Sequence, residues 1–404
     1  MINTLFVLTL IEAFIGGGGR LVEIGPFTLR MLLFASCLIL GTFALYLRLR
    51  RMDGQRLAFG LVLFYLLVHL FGLLMGTMNG ADTSDMIAEF QQSLYWLMAP
   101  FFALVLQSAK MVNVASLVVR FSGLFLDMGY FVILALLVIG KISIIQILPL
   151  LHDSGEVVVR ADHFLFYKGF LYLGISIVFF VAIRGKYWVF LSSIVSVALV
   201  LTLTRGFLLA TSVAVLMMLA AQGRRIVASV ALVMVMAAAF VVLIYVPSLD
   251  ESFTQSRSAS NDQRTHDFFG IVDNLKPSTA LIGEGYGATV DDRQFIENTL
   301  LWAYWKLGVM GVVFWTMPLC LCAYFYLKIP DRMHHRSAAA FFFGTVLVYV
   351  ETLTNPYLNN PIGLSYILVA LFSLRTLARD ARMPSGDKRG DSGASGGSPL
   401  PVSI

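Results

Sequence analysis

The sequence predicts an all-α polytopic membrane protein of about twelve transmembrane helices, with one large extracytoplasmic loop between spans 9 and 10. Three observations predict it. Of 404 residues, 58% are hydrophobic and only 13% charged, about half the charged share of a soluble globular domain. Apolar runs of about twenty residues, enough for a helix to cross roughly 30 Å of hydrocarbon, recur along the chain without the alternation of a membrane barrel. Lys and Arg gather in alternate connections, as they do in cytoplasmic loops.

The runs lie at 2–18, 27–47, 57–78, 93–109, 120–140, 164–183, 188–203, 206–221, 226–246, 298–326, 337–354 and 363–377. The first lacks a small-residue cleavage site behind a short apolar core, so it reads as a retained span and not as a removed signal peptide. Gly16 to Gly19 give it a flexible exit. With the N-terminus inside, the even-numbered connections hold Arg48, Arg50, Arg51 and Arg56, then Lys110 and Arg120, Arg184 and Lys186, Arg224 and Arg225, and Lys328, Arg332 and Arg336. The connection 79–92 carries Asp82, Asp85 and Glu89 and no basic residue, which places it outside. Both termini are then cytoplasmic, and the long loop 247–296 faces the outer side.

Residues 1–382 thus form one transmembrane domain that includes the loop 247–296. Residues 383–404, rich in Gly, Ser and Pro, have too little apolar surface to order and read as a disordered cytoplasmic tail. Cytoplasmic anchoring residues account for the net charge of +5, so no nucleic-acid partner is implied. Cys37, Cys320 and Cys322 fall inside spans, where they read as small packing residues, with no disulfide or metal framework.

The polar loop is where chemistry is expected. Ser260-Asn261-Asp262-Gln263 offers a capping-box start to an amphipathic helix that carries Arg264, Phe268, Phe269, Ile271 and Val272, with Pro277 as its stop. Arg257 lies seven residues before Arg264. Gly283-Glu284-Gly285-Tyr286-Gly287 lacks the βαβ context of a dinucleotide fingerprint and reads as a tight turn with close backbone approach. Thr204-Arg205-Gly206 sits between two apolar runs with almost no connection. An Arg at that depth costs about 3 kcal/mol or more unless it snorkels or finds an anion, which leaves lipid phosphate and an anion site between helices as the two readings. Glu297 lies at the outer mouth of the tenth span, either as a first-turn helix acid or as a general base. Asn355 and Tyr357, in the connection 351–360, either form part of a turn or contact sugar hydroxyls.

Order and spacing give these residues a further meaning. The stretch 188–326 resembles the O-antigen ligase and polymerase superfamily, the Wzy-type membrane glycosyltransferases. Its Thr/Ser-Arg-Gly turn looks like Thr204-Arg205-Gly206, and its loop arginine, amphipathic helix and Gly-x-Gly turn look like Arg264 through Gly283 and Gly285. Its His-Asn helix start and Gly-x-x-Gly correspond to Glu297-Asn298 and Gly308-Val309-Met310-Gly311. Two positions depart from the pattern: Glu297 replaces the usual His of ligases, and Lys306 stands where an acid often precedes the Gly-x-x-Gly. The first departure favours a polymerase over a ligase.

The resemblance implies a polyprenyl-diphosphate-linked oligosaccharide as donor, no cofactor or metal, inversion at the anomeric carbon, and a site on the periplasmic face of a bacterial inner membrane. Membrane lipids, a chain-length regulator and a flippase are the partners it implies. Arg205 and Arg264 would hold the diphosphate, because planar guanidinium binds phosphate oxygens bidentately and stays charged. Arg257 is a weaker candidate for the same task. Glu297 would take the proton of the incoming hydroxyl, oriented by Asn298, with Asn355 and Tyr357 as substrate contacts. The near rival is a ligase that transfers finished glycan to a lipid or protein acceptor. A twelve-span secondary transporter is the rival from another class, but such folds gather charges at the midplane, whereas here the longest polar segment is external.

Overall fold

The computed structural model describes residues 2–16, 23–24, 27–48, 53–140, 157–160, 164–202, 204–224, 251–274, 277–290, 293–294, 296–330 and 332–382. The expected ninth span, 226–246, and the tail 383–404 lie outside these residues.

The described residues fold as a helical bundle. Helices α1 (Ile2–Ile15), α2 (Leu29–Arg48) and α3 (Asp53–Met78) follow the first three apolar runs closely. The fourth run is not one straight helix. The connection before it forms a helix of its own, α4 (Thr83–Ser93), and the run itself is divided into a 3₁₀ turn over Leu94–Met98 and α5 (Ala99–Val105), which has Pro100 at its start. A proline has no N–H to donate and its ring crowds the preceding turn, so it is best placed at the first turn of a helix, where Pro100 stands. Helix α6 (Ala109–Val138) begins well before the expected 120, because the Ser108 hydroxyl accepts from Met111 N at 3.3 Å and starts the helix there.

Helices α7 (Leu171–Ile183), α8 (Trp188–Leu201) and α9 (Arg205–Ala221) come next, followed in the long loop by α10 (Glu251–Asp273) and the short α11 (Pro277–Ile282). Helices α12 (Thr299–Leu327), α13 (Arg332–Glu351) and α14 (Pro361–Asp380) complete the bundle. Two small antiparallel ribbons accompany the helices, Glu23–Ile24 with Phe27–Thr28, and Val157–Arg160 with Phe164–Tyr167. The second is built from three valines facing an aromatic-rich run, residue types that suit a pleated surface.

Five of the described helices, α2, α3, α6, α12 and α14, are long and apolar enough to cross a membrane. Helices α1, α8 and α9 are apolar but shorter, at about 21 to 26 Å from a rise of 1.5 Å per residue. Two helices form the centre. Nearly every residue of α14 from Ile362 to Ala378 is buried, as is α7 from Leu171 to Phe180. Helices that are apolar all round belong in such positions. Around them α2, α3, α6 and α12 turn Phe43, Leu67, Phe125 and Val313 outward, as lipid-facing helices do.

Candidate active site at the long loop

The long loop is ordered by two devices, neither of which is the expected capping box. Helix α10 runs through Ser260 without a break and starts at Glu251. Serine and asparagine cost only a few tenths of a kcal/mol inside a helix, so a capping pattern in mid-helix is easily overridden. Pro277 does not end this helix, which stops at Asp273, but opens α11, where its missing N–H is harmless. Ile271 is buried beneath α10, while Phe268, Phe269 and Val272 are exposed.

The second device is a backbone lock. After α11 the chain turns through Gly283, Gly285 and Gly287, all with positive φ (76°, 87° and 78°). Glu284 N and Gly285 N donate to the carbonyls of Trp305 and Lys306 at 2.8 and 2.9 Å, and Tyr286 N donates to Gly72 O at 3.0 Å. Those two α12 carbonyls are released from the helical ladder because Gly308 breaks it, with φ 63° and ψ −155°. A Cβ on Gly283 would lie 2.3 Å from Lys306 O, and one on Gly308 would lie 2.3 Å from Leu281 O. The glycines thus let two backbones touch, and each chain satisfies the other's polar groups inside the bundle. Beneath this turn the fully buried Lys306 Nζ pairs with Glu89 Oε1 of α4 at 2.6 Å and donates to Ala288 O, while Gly287 N donates to Glu89 Oε2 at 2.9 Å.

The turn delivers Arg293 and Glu297. Arg293 pairs with Asp267 of α10 and closes a tight turn with Val290 through reciprocal bonds of 2.9 Å. Burial pushes the Asp267 carboxyl above its ordinary range, and the Arg293 guanidinium opposes that rise. One turn before Asp267, Arg264 Nε donates to Glu297 Oε2 at 2.8 Å, and its second terminal nitrogen donates to Thr354 O at 3.3 Å. Both members of this pair remain partly exposed, at 37% and 40%.

Thr354 connects Arg264 to the Thr204-Arg205-Gly206 turn. A Cβ on Gly206 would lie 2.9 Å from the Thr354 hydroxyl and 2.7 Å from Glu351 Oε1. Arg205 opens α9, is exposed, and pairs with no acid among the described residues. The Thr204 hydroxyl turns back to Thr202 O at 3.2 Å and makes no side-chain cap for α9. Gly206, the residue after Arg205, and the Arg264–Glu297 pair therefore both adjoin Thr354.

The other expected residues are placed differently. Asn298 does not orient Glu297: its side-chain oxygen caps α12 by accepting from Leu300 N and Leu301 N at 3.0 and 3.1 Å. Asn355 donates to Glu351 Oε1 at 2.5 Å. Tyr357 is buried, with its hydroxyl on Lys168 O at 3.0 Å and its ring 5.9 Å from that of Phe207, so it packs the core and does not present itself to a sugar. Arg257 falls on α10, and its side chain lies outside the described residues. Sequence reasoning missed the buried acids Glu89 and Glu351; Lys306, a charge inside an apolar span, was the one signal of the first. A cavity of about 400 Å³ among Leu40, Phe43, Val105 and Met111 is lined by none of the candidate residues.

Fold and site together define a multi-pass helical membrane protein in which an arginine–carboxylate pair, Arg264 with Glu297, lies against Thr354 beside the helix start that bears Arg205. No family model matches the chain. Over 398 residues it is 28% identical to the O-antigen polymerase of Shigella flexneri, which covers 96% of this chain and 99% of that protein. This similarity spans nearly the whole of both chains.

Proposed function

We propose that this protein polymerises lipid-diphosphate-linked oligosaccharide repeat units into a surface polysaccharide such as O-antigen, at the outer face of a bacterial inner membrane. The named relative supports this reading, and one observation carries the mechanism: Arg264 bonds both Glu297 and Thr354, and Thr354 abuts Gly206 beside Arg205. Twelve spans, cytoplasmic termini, a periplasmic loop between spans 9 and 10, and a catalytic domain over 1–382 belong to the same reading. A chain-length regulator and a flippase are its expected partners.

Arg205 holds one side of the diphosphate. Arg264 holds the other, since two of its five N–H donors are engaged and three are left. Before donor binds, Glu297 serves as counter-ion to Arg264; an arriving diphosphate takes over the guanidinium and frees the carboxylate. The acceptor hydroxyl oxygen then attacks the anomeric carbon from the face opposite the diphosphate. Its proton passes to Glu297, the bond from carbon to diphosphate oxygen breaks, and the electron pair leaves with the lipid diphosphate. The configuration inverts. Cations aimed at that developing charge are worth about 10²- to 10³-fold each.

The test is the glycan ladder of cells carrying Arg205→Ala, Arg264→Ala or Glu297→Gln at normal protein level. Each variant is expected to lose long chains and accumulate single lipid-linked repeats. Wild-type chain lengths from all three overturn the site, and accumulation of long lipid-linked chains identifies a ligase instead.

A further inference from the structure

We propose that Glu351 is a positioning residue that sets Arg205 for diphosphate binding by holding the first turn of α9, without itself touching substrate. The inference rests on the reading above and deepens it. Glu351 ends α13, is fully buried, and accepts from Asn355 Nδ2 at 2.5 Å. Its two carboxylate oxygens lie 2.7 and 2.9 Å from where a Gly206 Cβ would stand, so its charge rests directly against the opening turn of α9. A buried carboxylate is costly unless it is satisfied, and a helix N-terminus with uncapped amides is a favourable place for it. That attraction fixes the axial position of α9 at the residue next to Arg205.

The same short segment reaches the other arginine, because Thr354 O accepts from Arg264 at 3.3 Å. One carboxylate therefore registers both guanidinium-bearing elements against each other. It also explains why Gly follows Arg205. A side chain at 206 would meet both oxygens of the acid, which is itself fully buried.

The experiment uses the full chain in detergent, with lipid-linked repeat unit as donor and inorganic pyrophosphate as competitive probe. Glu351→Gln keeps an acceptor for Asn355 and removes the charge. It is expected to fold normally, to lose about 10²-fold in kcat/KM, and to do so mainly by raising the donor KM and the pyrophosphate inhibition constant together. In an Arg205→Lys background the same change adds little further loss, because it acts through that residue. Gly206→Ala is expected to be impaired, and Gly206→Ala with Glu351→Asp to regain part of the activity, since the shorter acid makes room for the methyl group. Unchanged donor KM and pyrophosphate inhibition in a normally folded Glu351→Gln overturn the proposal, as do losses that multiply with Arg205→Lys. If Glu351→Gln does not accumulate, absence of rescue in the Gly206→Ala pair overturns it. A wild-type protein that neither elongates the donor nor responds to pyrophosphate overturns the functional reading, and this proposal with it.

Discussion

Replacing Lys306 by Met tests whether the buried pair under the glycine turn holds the loop in place. Lys306 Nζ stands 2.6 Å from Glu89 Oε1, and both side chains are sealed from solvent, at 0% and 1% exposure. At an effective dielectric of about 20, that separation corresponds to roughly 6 kcal/mol of attraction, most of which offsets the cost of taking both ions out of water. Methionine fills the lysine volume but leaves the Glu89 charge with only the Gly287 amide, and leaves the Ala288 carbonyl without its donor. Breaking one side of a buried pair costs about 3 to 5 kcal/mol, whereas neutralising both sides is close to neutral. The double variant Glu89→Gln with Lys306→Met retains an acceptor for Gly287 N and lacks only the donor to Ala288 O, a loss of about 1 to 3 kcal/mol. Unfolding in detergent, followed by circular dichroism, is expected to rank wild type above the double variant and the double variant above Lys306→Met. A single variant as stable as wild type, or a double variant no better than the single, refutes the argument.

Two further outcomes follow from the loop. Gly308→Ala places a methyl group 2.3 Å from Leu281 O at a φ of 63°, which costs about 1 to 2 kcal/mol in backbone strain alone; limited proteolysis is expected to cut more readily between 277 and 290, with a parallel fall in polymer. Arg293→Met removes the cation that opposes the burial-driven rise of the Asp267 carboxyl. A carboxyl whose folded value lies above its unfolded one binds its proton more tightly when folded, so its cost is absent at low pH and grows as pH rises through the ordinary range of about 4. The variant is therefore expected to unfold more readily than wild type at pH 7 and to close that gap as the pH approaches 4; a gap independent of pH counts against the pairing.

Much of the fold could be read locally. Length and apolarity are properties of a continuous segment, so α2, α3, α12 and α14 lie within a few residues of their apolar runs. A single residue can override that signal: Pro100 opens α5 inside the fourth run, and Ser108 sets the start of α6 well before its run. The site was legible to the extent that its residues carry motif spacing. Arg205, Arg264 and Glu297 do; Arg264 pairs with Glu297 and bonds Thr354, and Thr354 adjoins Gly206 next to Arg205. Glu351 and Glu89 carry none, because their partners lie far away in sequence: Gly206 for one, Lys306 for the other. Asn298 shows the reverse error, since a residue type suited to orienting a catalytic group is equally suited to capping the helix it precedes.

The central position of α14 has a consequence for assembly. Among the described helices it is synthesised last, yet α1, α5, α6, α12 and α13 all pack against it. Until the ribosome delivers it, those earlier helices surround a vacant axis and must be held in the lipid by other means, whether by the insertion machinery or by one another. Surveillance proteases then have a simple criterion for an unfinished chain, because a nascent protein lacking this one segment exposes at once the faces of the five helices that pack against it.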